Sequence, residues 1–254
     1  MTSGVTPRCP VCGGHTSLLG VVDFNKSCEE ARGVRLPPAG RPVQYVGCGS
    51  CGFAFAPSFS GWTAADFERE IYNADYAQVD PDYAAVRPGV NAETVLATFG
   101  DRGRQIRHLD YGGGAGRLSA LLREAGWNST SYDPFFDRHV PFGQLGRFEL
   151  ITCFEVFEHV PDVNDLASRL CSLLAGNGLI LASTLVSDGQ IGHGQALSWW
   201  YAAPRNGHIS LFSTGSLAML ARRHGLNLAS FSADIHLFWR EDFPGWASHL
   251  LKAG

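Results

Sequence analysis

The stretch from His108 to Leu118 places a glycine-rich turn between a buried strand and a helix. Three of its four glycines, Gly112, Gly114 and Gly116, occupy alternate positions. Because glycine has no Cβ, such a turn can adopt positive φ and bring main-chain amides close to a ligand at the start of the helix. The pattern therefore predicts an α/β fold that binds a nucleoside-bearing cofactor at this turn.

The spacing and charge of this turn argue against a dinucleotide. Dinucleotide-binding folds use GxGxxG, but Arg117 occupies the position of the last glycine. The chain instead has DxGxGxG, from Asp110 to Gly116. The Asp110 carboxylate would repel a pyrophosphate, whereas it suits the ammonium group of an amino-acid-like ligand.

A second acidic residue follows the next predicted strand. The segment Ser129–Asp133 reads as a short strand that ends in Asp133, 23 residues after Asp110. A carboxylate at this place can accept hydrogen bonds from both hydroxyls of a ribose.

With these residues the chain resembles the class I S-adenosylmethionine (SAM)-dependent methyltransferases. Leu109–Gly116 matches their first motif, Asp133 their ribose-binding acid, and Phe148–Val160 their fourth-strand motif. The resemblance covers residues 105 to 240, roughly, and three motifs in order are more specific than one glycine run.

The resemblance implies SAM as the cofactor, with Asp110 and the glycine turn at its methionine portion and Asp133 at its ribose. Arg87 lies ahead of the first motif, where methyltransferases often form a lid, and is the candidate partner of the methionine carboxylate. The predicted cofactor-binding residues are Arg87, Asp110, Tyr111, Gly112, Gly114, Gly116, Asp133, Pro134, Phe154 and Glu155.

One segment departs from the family pattern. Only residues 134–147 separate the second strand from Phe148, where the family usually has a helix, a third strand and an adenine-binding acid. Asp137 is the single acid in this gap. An apolar slot formed by Phe135, Phe136 or Phe142 is the alternative adenine site.

Strands and helices alternate from residue 105 onward, which predicts a mostly parallel, Rossmann-like methyltransferase sheet. The last two strands have no clear helix between them and predict an antiparallel closing hairpin. The predicted elements are strand Ile106–Tyr111, helix Arg117–Ala125, strands Ser131–Asp133 and Phe148–Cys153, helix Asp162–Leu174, strand Leu179–Thr184, helix Ser213–His224, and strands Leu226–Ser232 and Ile235–Trp239.

Four of the seven cysteines form two CxxC pairs, Cys9/Cys12 and Cys48/Cys51, each followed by a glycine. This spacing lets both sulfurs of a pair reach one ion, and four thiolates satisfy tetrahedral Zn²⁺ in a structural role. Thiol redox chemistry is the alternative, but neither pair begins a helix after a strand. The long span between the pairs predicts an inserted loop or hairpin in a zinc-ribbon-like module, and some sugar methyltransferases carry a similar four-cysteine module.

The chain is predicted to divide into a zinc-binding module (1–60), a helical lid or linker (61–104) and the SAM-binding domain (105–254). Twenty basic and 24 acidic residues give a formal charge of −4, which disfavours nucleic acid as a partner. The polar residues 1–10 and the absence of a long apolar stretch predict a cytoplasmic protein without a membrane partner. No oligomeric state is predicted.

Two arrangements are candidates for catalysis, because a hydroxyl acceptor must lose its proton during methyl transfer. His208, which the resemblance places near the cofactor mouth, is a candidate general base. Glu155 and Glu158 share one side of a helical turn and, with His159 and His208, would form a site for Mg²⁺, Mn²⁺ or another divalent metal. This ExxEH turn resembles that of metal-assisted O-methyltransferases, although many relatives have the same residues without a metal.

The sequence therefore predicts a methyltransferase that acts on a small molecule, a sugar or a glycan, most simply at oxygen. Three alternatives stay open: a nucleotide-sugar C-methyltransferase, a metal-assisted RNA 2′-O-methyltransferase, and a non-catalytic SAM-binding scaffold protein. The acidic balance disfavours the RNA enzyme.

Overall fold

The structure is a computed structural model that describes residues 7–192 and 194–252. Its strands are β1 (Thr16–Asp23), β2 (Pro42–Cys48), β3 (Ala54–Phe55), β4 (Arg107–Tyr111), β5 (Asn128–Tyr132), β6 (Phe148–Phe154), β7 (Leu174–Ser183), β8 (Ser210–Leu211), β9 (Asn227–Ser230) and β10 (Ile235–Trp239). Its α-helices are α1 (Ala64–Glu70), α2 (Tyr76–Val79), α3 (Val86–Phe99), α4 (Arg117–Glu124), α5 (Val163–Leu173) and α6 (Thr214–Arg223).

Six strands form the larger sheet, in the order β5-β4-β6-β7-β10-β9. β5, β4, β6 and β7 are parallel, whereas β10 is antiparallel to both β7 and β9. This arrangement confirms the predicted Rossmann-like sheet and its antiparallel closing hairpin.

Helices α3 and α4 pack together over one face of this sheet. Val95 and Phe99 of α3 and Leu122 of α4 belong to the same fully buried core as Leu150 of β6 and Leu179 of β7. β6 is apolar at five of its seven positions and β7 is apolar from Leu179 to Ala182, as expected for strands that are covered on both faces.

The carboxyl ends of the four parallel strands meet at one edge of the sheet, which is where ligands bind in open α/β folds. Asp133 follows β5, Gly112 follows β4, and Glu155 follows β6. Between β5 and β6, the structure forms only a short 3₁₀ helix, Phe142–Gln144. The predicted shortening of this region is therefore confirmed within the described residues.

The smaller sheet has the order β1-β2-β3-β8 and is antiparallel throughout. β1 and β2 form a hairpin between the two CxxC pairs, as the length of that span predicts. β8 pairs with β3 through Ala54 and Leu211. The edge strands of this sheet are thus β1, which begins shortly after Cys12, and β8, which begins two residues after His208.

The chain forms two compact units, each built from separate segments. The first contains the described residues of Met1–Pro81 with Phe157–Leu166 and Leu185–Leu220, and the second contains Asp82–Val156, Ala167–Thr184 and the described residues of Ala221–Gly254. The division into 1–60, 61–104 and 105–254 stays a prediction. Within the described residues, no helix is both long enough and apolar enough to cross a bilayer.

Candidate cofactor site, catalytic cluster and cysteine site

The glycine turn leaves β4 in a conformation that favours glycine. Gly112, Gly114 and Gly116 have φ of 77°, 54° and 76°. A Cβ at Gly112 would lie 2.4 Å from Cγ2 of Val156, whereas a Cβ at Gly114 would meet no atom within 4 Å. The turn is therefore packed at its start and open at Gly114, where a ligand can approach the main chain.

Asp110 lies beneath this turn, with only 4% of its surface exposed. Its Oδ1 accepts a hydrogen bond from Thr152 Oγ1 at 2.8 Å. A Cβ at Gly113 would lie 2.4 Å from the other carboxylate oxygen, so the carboxylate touches the turn. Burial raises the pKa of Asp110 to about 7, while the Thr152 hydrogen bond lowers it and the charge of Asp133 raises it. A cationic ligand would favour the ionised form.

Asp133 connects the glycine turn to the turn that follows β5. One oxygen of its carboxylate accepts from the Gly114 amide at 3.0 Å, and the other accepts from the amides of Phe135 and Phe136 at 2.8 and 3.3 Å. Asp137 in turn accepts from the Asp133 amide at 2.8 Å. These bonds hold the predicted ribose-binding acid beside the open part of the turn.

Two phenylalanines of the shortened segment, Phe136 and Phe142, differ in their surroundings. Phe136 is exposed. Phe142 packs edge-to-face against Tyr132, with ring centroids 5.8 Å apart, and the guanidinium of Arg169 lies 5.1 Å from its ring. Phe142 is therefore the more fixed of these two rings.

Glu155 has a strained backbone, since it is a non-glycine residue with φ of 54°. Its amide donates to Ser183 Oγ at 2.9 Å, and its carboxylate lies 3.7 Å from Nη1 of Arg87. Arg87 and Glu155, both predicted to bind the cofactor, thus form an ion pair. Strain of this kind at the end of a parallel strand is typical of a functional position.

Ser131 is a polar residue of this region that sequence reasoning missed. It lies opposite Asp110 in β5, and its buried hydroxyl has no hydrogen-bond partner among the described residues. A Cβ at Gly113 would lie 2.4 Å from this oxygen. A lone serine in a polar strand gives no sequence signal that separates it from an ordinary surface residue.

In the first of the two compact units, Glu158, His159 and His208 form a cluster. The atoms of these residues that could bind a metal lie within 4.8 Å of one another. Glu158 is fully buried and lies in the 3₁₀ turn Phe157–His159. Tyr201 Oη donates a hydrogen bond to its Oε1, and Tyr72 Oη lies 3.1 Å from Nδ1 of His159. The three predicted catalytic residues are therefore brought together, in an arrangement that could hold a metal, whereas Glu155, the fourth predicted metal ligand, is not part of this cluster.

His208 is held in one orientation by its neighbours. Its Nδ1 lies 3.0 Å from the carbonyl oxygen of Tyr201 and 3.5 Å from Sγ of Cys28. Because a carbonyl only accepts, this contact favours a proton on Nδ1 and makes Nε2 the proton-accepting nitrogen. The backbone is also fixed, since Tyr45 Oη donates to the His208 carbonyl at 2.6 Å.

Lys26 donates hydrogen bonds to the segment that precedes His208, and sequence reasoning missed this residue. Its Nζ donates to the carbonyls of Trp199, Trp200 and Ala202 at 2.8, 3.3 and 3.0 Å. Burial lowers the pKa of Lys26. The insertion between the cysteine pairs thus supplies contacts that shape the loop carrying Tyr201.

The four cysteines of the CxxC pairs converge. Their sulfurs lie within 4.8 Å of one another, with 3.6 Å between Cys9 and Cys51 and 3.4 Å between Cys12 and Cys48. The two pairs have matching turns, closed by hydrogen bonds from the Gly13 amide to the Cys9 carbonyl and from the Gly52 amide to the Cys48 carbonyl at 2.8 and 2.9 Å. Such a cluster could hold one tetrahedral ion.

A parallel sheet with a closing hairpin, an acid beneath a glycine turn and a second acid after the next strand define the class I SAM-dependent methyltransferases. A family model described as a methyltransferase domain matches residues 83–230, more than half of the chain. The chain belongs to this methyltransferase family.

Curated relatives match a shorter region. The chain is 30% identical over 107 residues to a ubiquinone biosynthesis O-methyltransferase of Bordetella avium, covering 33% of this chain and 44% of the relative. It is 30% identical over 89 residues to the enzyme of the same name from Psychrobacter cryohalolentis, covering 33% of this chain and 34% of the relative. The matches thus span less than half the length of these relatives.

Solved structures are also similar. Magnesium protoporphyrin IX methyltransferase from Synechocystis, with bound SAH, is 16% identical with a TM-score of 0.44, covering 73% of this chain and 98% of that one.

Proposed function

We propose that this chain is a SAM-dependent methyltransferase that transfers the methyl group to an oxygen of a small molecule, a sugar or a glycan. The observation that supports this most is the placement of Asp110 and Asp133 around one open glycine turn at the carboxyl edge of the sheet. The O-methyltransferase names of the curated relatives support oxygen as the acceptor and a small molecule as the substrate.

In this proposal Asp110 faces the cationic methionine end of SAM, and Asp133 accepts hydrogen bonds from its ribose. The Gly114 amide, which Asp133 orients, lies where a ligand can approach the main chain. Arg87 exchanges its ion pair with Glu155 for the methionine carboxylate. Tyr111, Gly112, Gly116, Pro134 and Phe154 complete the proposed contact set.

His208 is the proposed general base. Methyl transfer from a sulfonium releases a neutral thioether, so the reaction needs a well-positioned acceptor more than it needs an acid. A hydroxyl acceptor must still lose its proton, and Nε2 of His208 is the nitrogen that can accept it because Nδ1 faces the Tyr201 carbonyl. Glu158 and His159 position this ring and the loop around it.

The four cysteines are proposed to bind structural Zn²⁺. Sulfur separations of 3.4 and 3.6 Å place the pairs around a common centre, and the Gly14 amide donates to Sγ of Cys12 at 3.4 Å. Amide donors stabilise thiolates, which are the form that binds zinc. This role favours a reducing compartment such as the cytoplasm.

The cluster of Glu158, His159 and His208 supports a second candidate, a metal-assisted O-methyltransferase. Its buried carboxylate and two imidazoles suit a divalent ion, which would lower the pKa of a coordinated hydroxyl. Metal stoichiometry separates the two candidates, since a structural zinc site alone gives one ion per chain. A second ion that is lost in Glu158→Gln but kept in Cys48→Ser would favour the metal-assisted enzyme.

The central test combines calorimetric titration of SAM with transfer of labelled methyl to a catechol, a free sugar, a nucleotide sugar and a short RNA. We expect SAM binding and transfer to oxygen of the catechol or a sugar. Transfer to carbon, or to RNA, would replace the proposal by the corresponding alternative, and SAM binding without transfer to any acceptor would favour a scaffold.

The base is tested separately. His208→Ala should keep the affinity for SAM and lower turnover by about 100-fold or more. His224→Ala is the matched control, since His224 directly follows α6 and lies outside the cluster of Glu158, His159 and His208. Equal turnover of the two variants would exclude His208 as the base.

A further inference from the structure

A continuous line of buried hydrogen bonds crosses three adjacent strands and ends at Asp110. The hydroxyls of Ser119 and Ser129 lie 2.9 Å apart, and Ser129 Oγ lies 2.8 Å from Nδ1 of His108. Nε2 of His108 lies 3.0 Å from Thr152 Oγ1, which donates to Asp110 at 2.8 Å. Their residues are all at most 6% exposed.

Strand register explains why these groups meet. His108 lies opposite Ser129, and Asp110 lies opposite Thr152, in the parallel pairing of β4 with β5 and β6. His108 and Asp110 are two residues apart, so their side chains share one face of the sheet. The line therefore follows directly from the positions of these side chains in the pleat.

The His108 ring is neutral and has one N–H proton, because burial lowers the pKa of His108 to about 3. Only one of its nitrogens can therefore donate, and the other must accept. The Thr152 hydroxyl likewise has one proton, and Asp110 Oδ1 at 2.8 Å is a nearer acceptor than the Leu109 carbonyl at 3.5 Å.

Two arrangements of protons use this line in opposite directions, and they differ by one proton on Oδ1 of Asp110. When Asp110 is ionised, Thr152 donates to Oδ1, Nε2 of His108 donates to Thr152, Nδ1 accepts from Ser129, and Ser129 accepts from Ser119. When Asp110 is protonated on Oδ1, this oxygen donates to Thr152, Thr152 donates to Nε2, Nδ1 donates to Ser129, and Ser129 donates to Ser119. A proton on Oδ1 of Asp110 therefore changes the tautomer of His108.

We infer that His108 is a positioning residue of the cofactor site, which acts through Thr152 to hold Asp110 as an acceptor-only carboxylate for the cationic end of SAM. The inference rests on the proposed binding of SAM at Asp110. It adds that cofactor binding is coupled to a buried proton arrangement and depends on pH.

Among the described residues, no cation is found to act on Asp110. Asp133, after β5, is the charged group that acts on it, and its negative charge raises the pKa of Asp110. Thr152 from β6 and Ser131 from β5 are neutral. The hydrogen bond from Thr152 therefore lowers the pKa of Asp110, while burial and Asp133 both raise it. Loss of the Thr152 hydroxyl should raise this pKa further.

The first experiment measures SAM affinity by calorimetry from about pH 5 to pH 9 in the wild type, Thr152→Val and Thr152→Ser. We expect wild-type affinity to rise with pH as Asp110 ionises. Thr152→Val, which keeps the shape and removes the hydroxyl, should bind about 10- to 100-fold more weakly, with its pH midpoint shifted upward. Thr152→Ser should restore most of the affinity and the wild-type midpoint.

Ser230→Ala is the matched control. It removes a hydroxyl that lies 2.8 Å from Nδ1 of His236 in the same sheet, on a path that does not lead to Asp110. Affinity and pH midpoint should stay at the wild-type values. The amino group of SAM titrates equally in every variant, so it cannot produce a difference between them.

The second experiment needs no substitution. Nitrogen-15 NMR of histidine-labelled wild-type protein identifies the protonated nitrogen of His108. We expect Nδ1–H in the ligand-free protein near pH 6 and Nε2–H in the SAM complex. An unchanged tautomer, or a Thr152→Val protein with wild-type affinity and midpoint, would overturn the inference and leave SAM binding intact. A wild-type protein that binds no SAM at any pH would overturn the proposed function as well.

Discussion

Gly114→Ala separates the conformational role of the turn from its proposed role in binding. Gly114 has φ of 54°, and a Cβ there would meet no protein atom within 4 Å. The substitution should therefore destabilise the fold only through the left-handed backbone, by about 1–2 kcal/mol. For a chain of this length that corresponds to about 2–4 °C in Tm for each kcal/mol.

The same Cβ should reduce SAM affinity, because it fills the space through which the cofactor would approach the main chain. Overpacking of such a contact costs about 1–3 kcal/mol, or roughly 5- to 150-fold in Kd. Urea unfolding measures the first effect and calorimetric titration with SAM measures the second.

Gly225→Ala supplies the matched control. Gly225 follows α6, has φ of 69°, and would likewise place a Cβ in open space. We expect a similar loss of stability with unchanged SAM affinity. If the Gly114 and Gly225 variants bind SAM equally well, no ligand lies against the turn and the reasoning is refuted.

Three further predictions concern charge, metal and packing. As the pH rises from about 4 to about 7, the wild type should lose stability relative to Asp110→Asn, by at most about 1.4 kcal/mol per pH unit. The reason is that the native carboxyl, with its pKa raised to about 7, keeps a proton that the unfolded chain has lost. Urea titrations that give the same difference in stability at every pH would contradict this. Cys48→Ser should lower zinc from about one ion per chain in elemental analysis and lower Tm, whereas Cys171→Ser should keep the full zinc content; equal zinc in both would exclude the cysteine site. Tyr201→Phe removes the hydroxyl that donates to buried Glu158 and should reduce the free energy of unfolding by about 1.5–3 kcal/mol in denaturant titrations, so a neutral effect would show that this bond contributes little.

The sheet could be predicted from the sequence because strands and helices alternate along the chain, and because β6 and the second half of β7 are largely apolar. The sequence predicts that the strand before Asp133 begins at Ser129 or Ser131, whereas β5 begins at Asn128. Its residues are polar, so hydrophobic periodicity could not mark its start. Pairing with β4 from Arg107 onward determines its length instead.

The places of Asp110 and Asp133 near the carboxyl ends of β4 and β5 could be predicted, because the carboxyl ends of neighbouring parallel strands lie at one edge of the sheet. His108 and Thr152 could not, although His108 stands two residues before Asp110 in the first motif. Their roles depend on register between strands that are far apart in sequence. A histidine inside a strand that is predicted to be buried was the available signal, since a buried imidazole requires hydrogen-bond partners.

The pairing of β8 with β3 has a practical consequence for inhibition studies. The residues after His208 complete a sheet whose other strands flank the cysteine cluster, and the Ser213 hydroxyl donates to the Cys51 carbonyl at 2.7 Å. A chelating agent that removes the proposed Zn²⁺ from the cysteines would loosen the strand next to the proposed base and could abolish turnover. Inactivation by chelators would therefore not identify a metal that takes part in the chemistry, and only ion counting in paired variants would do so.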